Sequence, residues 1–254
     1  MDYSSKDMKA VLLVGGLGTR LRSVVASRPK PLASVGDRPF LELVVRQLRS
    51  QGIRHYVLCT GYLAHEIEKE LGDGRQWDVK IEYSKESCPM GTAGAVKFAE
   101  PLLHEDSDFL VLNGDSFMEL DLWELIHFHR ESGGIASMAV LRMKNEMRYG
   151  TVQVTTGGRV SGFTEKSDGY PTANGFVNAG IYVFNRRIFE YIPERPASLE
   201  RDIFPKLLDH GLYASEQHGV FIDIGTPEDY ARAQGLCEQL YEAATRKRLP
   251  GTSH

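Results

Sequence analysis

The chain has 254 residues, of which 42% are hydrophobic and 25% charged, an ordinary balance for a globular protein with one large α/β domain or two small ones. Its net charge of −4 excludes a general attraction to nucleic acid or anionic membranes, so any anion site must be local. The sequence contains no apolar run long enough to span a bilayer and no secretory signal. Its three cysteines lack metal-type spacing, so we expect a cytoplasmic protein with reduced thiols.

The first predicted element is a short buried strand at 11–14 that runs into a glycine-rich loop. The loop contains three glycines, Gly15, Gly16 and Gly18. They leave the main chain open to a ligand, and successive N–H groups in such a turn can bind an anion. The loop lacks the terminal Lys-Ser/Thr of a P-loop, and Leu21 stands where a Rossmann dinucleotide loop needs its third glycine.

A lysine between two prolines follows the loop. Pro29 and Pro31 restrict the backbone around Lys30, so this side chain would lose little ordering entropy on binding a ligand. Taken alone, the loop could be a plain glycine turn, and Lys30 could be a solvated lysine in a rigid surface turn. Together with Arg20, they predict a site that holds several phosphate groups.

The run Gly15 to Leu21 followed by Pro29-Lys30-Pro31 resembles the signature of the sugar-1-phosphate nucleotidylyltransferases. These enzymes join a nucleoside triphosphate to a sugar 1-phosphate and release pyrophosphate. The resemblance implies one Rossmann-like, three-layer α/β/α domain over residues 1–254, with a mixed, mostly parallel central sheet. Within it we expect a mainly nucleotide-binding part, a mainly sugar-binding part and a frayed tail, at 9–120, 121–234 and 242–254.

Helices and strands alternate after the loop, as in βαβ units. We predict helices at 39–50, 63–71, 93–103 and 122–131. We predict strands at 55–60, 79–84, 109–112 and 136–142. After Gly150 strands predominate, and helices then return; the predicted strands are 151–155, 159–165 and 176–184, and the helices are 201–208 and 227–241.

The segment from Met90 to Gly94 resembles the part of this family that holds the nucleobase and ribose. A loop that enters a helix without binding a ligand is the alternative. By resemblance, we assign nucleotide binding to Leu13, Gly15, Gly16, Gly18, Thr19, Glu86, Gly91 and Thr92.

Two aspartates are candidate metal ligands. Asp115 follows a predicted strand, at the sheet edge where open α/β folds bind ligands, although a strand-ending turn is the alternative. Asp223 lies in an apolar run, where a buried carboxylate is costly unless it is paired or metal-bound. It could instead cap a helix, but Thr226 before Pro227 fits that role better. Hard oxygen ligands suit Mg²⁺, and the resemblance identifies both aspartates as its ligands.

The sugar side is predicted mainly by resemblance. Glu165 and Lys166 look like the family's pair that contacts sugar hydroxyls and sugar phosphate, although a surface ion pair is the alternative. Neighbouring strand residues point to opposite faces, so we expect a kink there. The resemblance adds Gly150, whose backbone contacts the sugar, and Asn178. It also adds Glu200, for which a helix capping box is the alternative.

These residues imply a direct mechanism. A sugar phosphate has a second pKa of about 6 and is already mostly ionised at neutral pH, so no general base is needed. Two anions must still be brought together, which calls for fixed cations. We expect Arg20 and the loop to hold the leaving pyrophosphate, Lys30 to bridge the phosphates and Lys166 to position the sugar phosphate, with Mg²⁺ as cofactor.

Further motifs at 34–42, 111–117, 148–152 and 221–230 look closest to bacterial D-glycero-α-D-manno-heptose 1-phosphate guanylyltransferases. This implies GTP as donor and a GDP-heptose for surface polysaccharide as product. Mannose-1-phosphate guanylyltransferases and glucose-1-phosphate thymidylyl- or uridylyltransferases remain open. We expect no fused β-helical acyltransferase, because the chain ends soon after the motifs, and no nucleic acid or membrane partner; a homo-oligomer is compatible with the sequence.

Two alternatives come from other functional classes. One is a catalytically silent homologue that binds sugar nucleotides, although such a protein would not need Arg20, Lys30 and both aspartates. The other is a nicotinamide-dependent oxidoreductase with Asp37 as its ribose-binding acid, which Leu21 disfavours.

Overall fold

The computed structural model describes residues 8–21, 25, 28–143, 151–164 and 175–247. The strands are β1 (Lys9–Leu13), β2 (Ser34–Val35), β3 (Arg38–Pro39), β4 (His55–Thr60), β5 (Lys80–Lys85), β6 (Asp108–Asn113), β7 (Ser116–Met118), β8 (Ala136–Leu141), β9 (Thr151–Val154), β10 (Val160–Thr164), β11 (Phe176–Asn185), β12 (Leu212–Glu216) and β13 (Phe221–Asp223). The α-helices are α1 (Phe40–Ser50), α2 (Ala64–Leu71), α3 (Gly91–Phe98), α4 (Leu122–Ser132), α5 (Phe204–Leu207), α6 (Pro227–Gly235) and α7 (Cys237–Thr245).

A nine-stranded mixed sheet forms the centre of the described chain. Its main path is β10-β9-β11-β6-β1-β4-β5, and β8 lies between β11 and β12. Strands β10 and β11 run against the other seven. The chain leaves β1 toward β4 on one side and returns to pair β6 on the other, which makes a topological switch point at the carboxyl end of β1. Ligands of open α/β sheets bind at such a point.

Helices cover both faces of the sheet because side chains alternate along each strand. In β1, Ala10 and Leu12 belong to a core that includes residues of α1, α2, α4, α6 and α7. Val11 belongs to a second core, which includes residues of α3 and α5. The predicted three-layer α/β/α domain with a mixed, mostly parallel sheet is therefore confirmed.

The start of α6 bears on the candidate metal site. Thr226 is its N-cap and accepts a hydrogen bond from the Asp229 N–H, with Pro227 at the first helical position. The sequence prediction that Thr226 rather than Asp223 caps this helix is confirmed. The carboxylate of Asp223 therefore does not serve as the cap of this helix.

Several predicted elements differ from the observed ones. The helix predicted over 93–103 ends at Phe98 and continues as a 3₁₀ turn, because Pro101 lacks an N–H and disrupts helical bonding. The helix predicted over 227–241 is divided between α6 and α7, at the point where Gly235 weakens it. The helix predicted over 201–208 is a π-helical turn at Leu199–Ile203 followed by α5.

The short strands β2, β3, β7 and β12 were not predicted, because two to five residues carry too little pattern to show a period. The C-terminal tail also differs from expectation. The last helix, α7, runs to Thr245 with Ala243 and Ala244 buried in the core, so the tail predicted from residue 242 is helical to that point. None of the helices in the described part of the chain is long and apolar enough to cross a membrane.

Candidate active site

A cavity of about 350 Å³ lies at the switch point. Its walls are Leu13, Val14, Gly16, Leu17, Gly18, Arg20, Lys30, Pro31, Asp115 and Gly225. The cavity therefore brings together six residues assigned from the sequence: Leu13, Gly16, Gly18, Arg20, Lys30 and Asp115. The end of β1, the glycine loop and the turn after β6 form one concave surface with cationic side chains.

The loop depends on Gly18. This residue has a φ of +58°, and a Cβ placed on it would lie 3.0 Å from the Cβ of Lys30. A glycine is needed both for the turn and for the close approach of the lysine. The loop then closes in a short 3₁₀ turn, Thr19–Leu21. Leu21 is buried in the core, so its position serves packing and not a dinucleotide.

Lys30 joins the two predicted metal carboxylates. Its Nζ lies 2.5 Å from Oδ2 of Asp115 and 3.8 Å from Oδ1 of Asp223, and only 10% of its side chain is exposed. The Ile224 N–H donates to the carbonyl of Asp115 at 3.0 Å, which fastens the two acidic segments together. Burial alone would raise the pKa of Asp115, but the adjacent ammonium of Lys30 outweighs it and holds the pKa below its usual value.

Asp223 ends β13, which pairs with β7 beside the main sheet. Its Oδ1 accepts a hydrogen bond from the Gly225 N–H at 2.6 Å. Within the described ranges, no group of three or more His, Cys, Asp or Glu side chains lies together as a metal site. Two carboxylates beside a phosphate-sized cavity nevertheless fit Mg²⁺, which typically takes one or two carboxylates and completes its shell with phosphate and water.

Glu86 lies between the glycine loop and the start of α3. Its Oε2 accepts a hydrogen bond from the Met90 N–H at 3.3 Å. Its Oε1 is so close to Gly15 and Gly61 that an added Cβ would stand 3.1 and 2.8 Å away. Burial raises the pKa of Glu86, and the Met90 hydrogen bond offsets part of that effect. Two segments assigned to nucleotide binding, the glycine loop and the start of α3, thus meet at the Glu86 carboxylate.

Two backbone N–H groups at the amino end of α3 are satisfied by the protein itself. Gly91 has a φ of +71°, and the N–H groups of Ala93 and Gly94 donate to the carbonyl of Ala197. A Cβ on Gly91 would lie 2.5 Å from that oxygen. The alternative interpretation of this segment, a loop that enters a helix without binding a ligand, therefore accounts for two of its N–H groups and for Gly91.

We expect Gly91→Ala to lower the free energy of unfolding by about 3 kcal/mol. Alanine is strained at a positive φ, and its Cβ would displace the backbone of Ala197. Gly133→Ala is the matched control, because Gly133 has a φ of +61° with no atom within 4 Å of an added Cβ. It should cost about 1 kcal/mol. Urea denaturation measures both, and equal losses would contradict a special role for the Ala197 contact.

Two residues predicted to bind the sugar, Asn178 and Glu200, are linked through Tyr182, a residue that the sequence motifs do not indicate. The alternation of β11 offered a signal, since positions 178, 180 and 182 share one face. The segment around Glu200 also forms a helix cap, which is the alternative to sugar binding. The Ser198 hydroxyl accepts a hydrogen bond from the Arg201 N–H, and the Asp202 carboxylate accepts one from the Ser198 N–H. The other predicted sugar residues, Gly150, Glu165 and Lys166, and the predicted kink lie outside the described residues.

Comparison with known proteins agrees with this geometry. A model of the nucleotidyl transferase family matches residues 9–239. Mannose-1-phosphate guanyltransferase beta-A of Xenopus laevis is 35% identical over 251 residues, which cover 97% of this chain and 68% of that protein. Mannose-1-phosphate guanylyltransferase of Mycobacterium tuberculosis is 36% identical over 233 residues, covering 90% and 64%.

Solved structures give the same result. The crystal structure of HddC from Yersinia pseudotuberculosis complexed with GMP-PN is 32% identical, with a TM-score of 0.79, and the match covers 90% of this chain and 98% of that one. The family match spans most of the chain and includes every segment that lines the cavity. The chain therefore belongs to the nucleotidyl transferase family, and its resemblance to the sugar-1-phosphate nucleotidylyltransferases is confirmed.

Proposed function

We propose that this protein transfers a guanylyl group from GTP to a sugar 1-phosphate, releasing pyrophosphate and forming a GDP-sugar. The observation that carries the proposal is the meeting of the glycine loop, Arg20, Lys30 and Asp115 around one cavity, with Oδ1 of Asp223 3.8 Å from Nζ of Lys30. Family membership supports the reaction class. The relatives named as guanylyltransferases, and the HddC complex with GMP-PN, support guanine as the base.

In the proposed reaction, an oxygen of the sugar phosphate attacks the α-phosphorus of GTP. The bond from that phosphorus to the bridging oxygen breaks, and pyrophosphate leaves with the electron pair. The attacking oxygen is already ionised, so no proton has to be removed. Arg20 and the loop amides would hold the departing pyrophosphate, and Lys30 would neutralise charge near the α-phosphate. Lys166 is proposed to hold the sugar phosphate.

Asp115 and Asp223 would hold Mg²⁺, because Asp115 lines the cavity of the phosphate-binding loop and Asp223 lies beside it, both within 3.8 Å of Nζ of Lys30. When bound, the ion would neutralise phosphate charge that the side chains alone leave in excess. Gly225 contributes space, since a Cβ there would lie 2.7 Å from Oδ1 of Asp223 and 3.4 Å from Nζ of Lys30.

Glu86 is the residue we propose to read the base. Guanine presents N–H donors at N1 and N2, and an ionised carboxylate is an acceptor on both oxygens. Glu86 is half-buried next to the loop and α3, with one oxygen bonded to the Met90 N–H. The other bases lack this pair of donors, so the carboxylate would favour GTP.

Glu86→Gln should lower kcat/KM for GTP by about 10- to 100-fold, because the amide replaces an acceptor with a donor and a charge is lost from the hydrogen bonds. The loss of kcat/KM should be smaller for UTP and dTTP, so the preference for GTP over these two triphosphates should narrow. Pyrophosphate release with each triphosphate measures it. Glu82→Gln is the control and should leave the preference intact; Glu82 lies on β5, the strand that ends just before Glu86, and pairs with Lys80 at 3.0 Å.

For the sugar, we propose D-glycero-α-D-manno-heptose 1-phosphate first. Mannose 1-phosphate is the second candidate, which the names of the relatives favour. The two share a manno-configured ring and differ in the substituent at C6. A matrix of four triphosphates against both sugars and glucose 1-phosphate, scored by pyrophosphate release, tests the proposal. Release with GTP and a manno-configured sugar is the expected result. Binding of GDP-sugar with no release in any combination would favour the silent homologue instead.

We also propose that the protein works in the cytoplasm. Cys59, Cys88 and Cys237 are free thiols, as reducing compartments maintain them. The proposed substrates, GTP and a sugar phosphate, are cytoplasmic metabolites, and the product would serve surface polysaccharide assembly.

A further inference from the structure

A buried tyrosine connects the two described residues that were assigned to the sugar. The side chain of Tyr182 is fully buried on β11. Its hydroxyl oxygen accepts a hydrogen bond from Nδ2 of Asn178 at 2.9 Å and donates a longer one to Oε1 of Glu200, with 3.5 Å between the two oxygens. Burial, and then the charge of Glu200, raise the pKa of Tyr182 well above its usual value, so the phenol remains a neutral donor.

The opposite side of Glu200 is held by two further hydroxyls. Thr92 Oγ1 and Ser198 Oγ donate to Glu200 Oε2 at 3.0 and 2.8 Å. The same Thr92 oxygen accepts a hydrogen bond from the Leu199 N–H at 2.8 Å. The only hydrogen of the Thr92 hydroxyl is therefore committed to the acid on the sugar side, although Thr92 lies in the segment assigned to the nucleotide.

These contacts orient the groups that remain for a ligand. Asn178 Oδ1 accepts a hydrogen bond from the Gly180 N–H at 3.0 Å. This bond and the one from Nδ2 to Tyr182 fix the orientation of the amide group. Among the residues that the structure describes, none accepts a hydrogen bond from the second N–H of the Asn178 amide. Glu200 Oε1 accepts only the long hydrogen bond from Tyr182 within the same part of the chain. A sugar hydroxyl, which both donates and accepts, matches this pair.

We propose that Tyr182 and Thr92 are positioning residues for the sugar 1-phosphate, acting through Asn178 and Glu200. Tyr182 holds the amide and the carboxylate at a fixed separation, and Thr92 anchors the carboxylate to the first turn of α3. The inference rests on the proposed function. It also reassigns the Thr92 side chain from the nucleotide to the sugar.

The test uses Tyr182→Phe and Thr92→Val in the full-length protein, with KM measured for each substrate by pyrophosphate release. Phenylalanine keeps the ring contacts with Phe184 and Phe204, whose centroids lie 5.5 and 5.2 Å away. We expect KM for the sugar 1-phosphate to rise about five- to tenfold and KM for GTP to stay within about twofold. Thr92→Ser, which restores the hydroxyl, should return KM close to the wild-type value.

Tyr56→Phe is the matched control for loss of a buried tyrosine hydroxyl. Its hydroxyl donates to the carbonyls of Val45 and Ile53, and Tyr56 is not among the residues that line the cavity. It should lower thermal stability and leave both KM values unchanged. If Tyr182→Phe does not fold, Thr92→Val and Thr92→Ser carry the test, because Thr92 is half-exposed at the start of its helix.

Equal rises in both KM values, or a rise for GTP alone, would overturn the inference, and so would unchanged KM for the sugar 1-phosphate. If the wild-type protein releases no pyrophosphate, the proposed function fails separately. Calorimetric titration with the sugar 1-phosphates then tests the inference directly. Weaker binding by both variants would support it, and equal binding by wild type and variants would refute it.

Discussion

The Lys30→Met variant is expected to lose about three orders of magnitude in kcat/KM. Its ammonium is the cation shared by Asp115 and Asp223, and it faces the cavity that we assign to the triphosphate. Methionine keeps much of the length and the apolar stem but removes the charge. The reaction would then bring two anions together with one fixed cation fewer, in a site where burial strengthens each charge interaction. Steady-state pyrophosphate release measures the loss.

Lys9→Met is the matched control for this loss. Lys9 also has a largely buried side chain, and its Nζ pairs with Asp106 at 3.1 Å at the opposite, amino end of β1. Removing it should lower stability without a comparable loss of turnover. A near-normal kcat/KM for Lys30→Met, or an equal loss for Lys9→Met, would contradict the assigned role of Lys30.

The second large effect is expected for Asp223→Asn. The amide has nearly the same shape, but a neutral oxygen is a weaker ligand for Mg²⁺ than a carboxylate. We expect turnover at a fixed, low Mg²⁺ concentration to fall by about two orders of magnitude and the Mg²⁺ concentration for half-maximal rate to rise by about tenfold. Wild-type activity should disappear on chelation with EDTA and return when Mg²⁺ is added.

Asp37→Asn makes the same change of charge at an exposed turn and serves as the control. It should leave the Mg²⁺ titration unchanged. An unaltered titration for Asp223→Asn, or full wild-type activity in EDTA, would exclude Asp223 as a metal ligand. Asp115→Asn should behave as Asp223→Asn does. It also removes the charge that pairs most closely with Lys30, so a larger loss is expected.

Much of the first half of the site could be predicted from residues that are neighbours in the chain. The strand before the loop, the glycines and the two prolines each act on their own backbone, and Gly18 shows why, since its positive φ is a local requirement. The strand predicted at 55–60 coincides with β4, and Thr226 caps α6 as expected, because period and capping depend on residues a few positions apart.

Contacts between distant segments could not be predicted in this way. Lys30 and Asp115 are 85 positions apart, and their meeting depends on the order of strands in the sheet. Asp223 reaches them through the pairing of β7 with β13, two strands of three residues each. The amides of α3 are covered by Ala197, and Glu200 is anchored by Thr92, across a gap that no periodicity spans.

The sequence by itself indicated the reaction class through the resemblance of its motifs to the sugar-1-phosphate nucleotidylyltransferases. Without that resemblance, the glycine loop, Arg20 and a lysine between prolines predict phosphate binding, through the local backbone and charge of adjacent residues. Only the tertiary structure decided which side chains share the cavity, and that Tyr182 contacts Asn178 and Thr92 contacts Glu200. The physical reason is that backbone geometry and caps are set by near neighbours. Contacts between side chains depend instead on which strands pair, and that is decided by packing of the whole core.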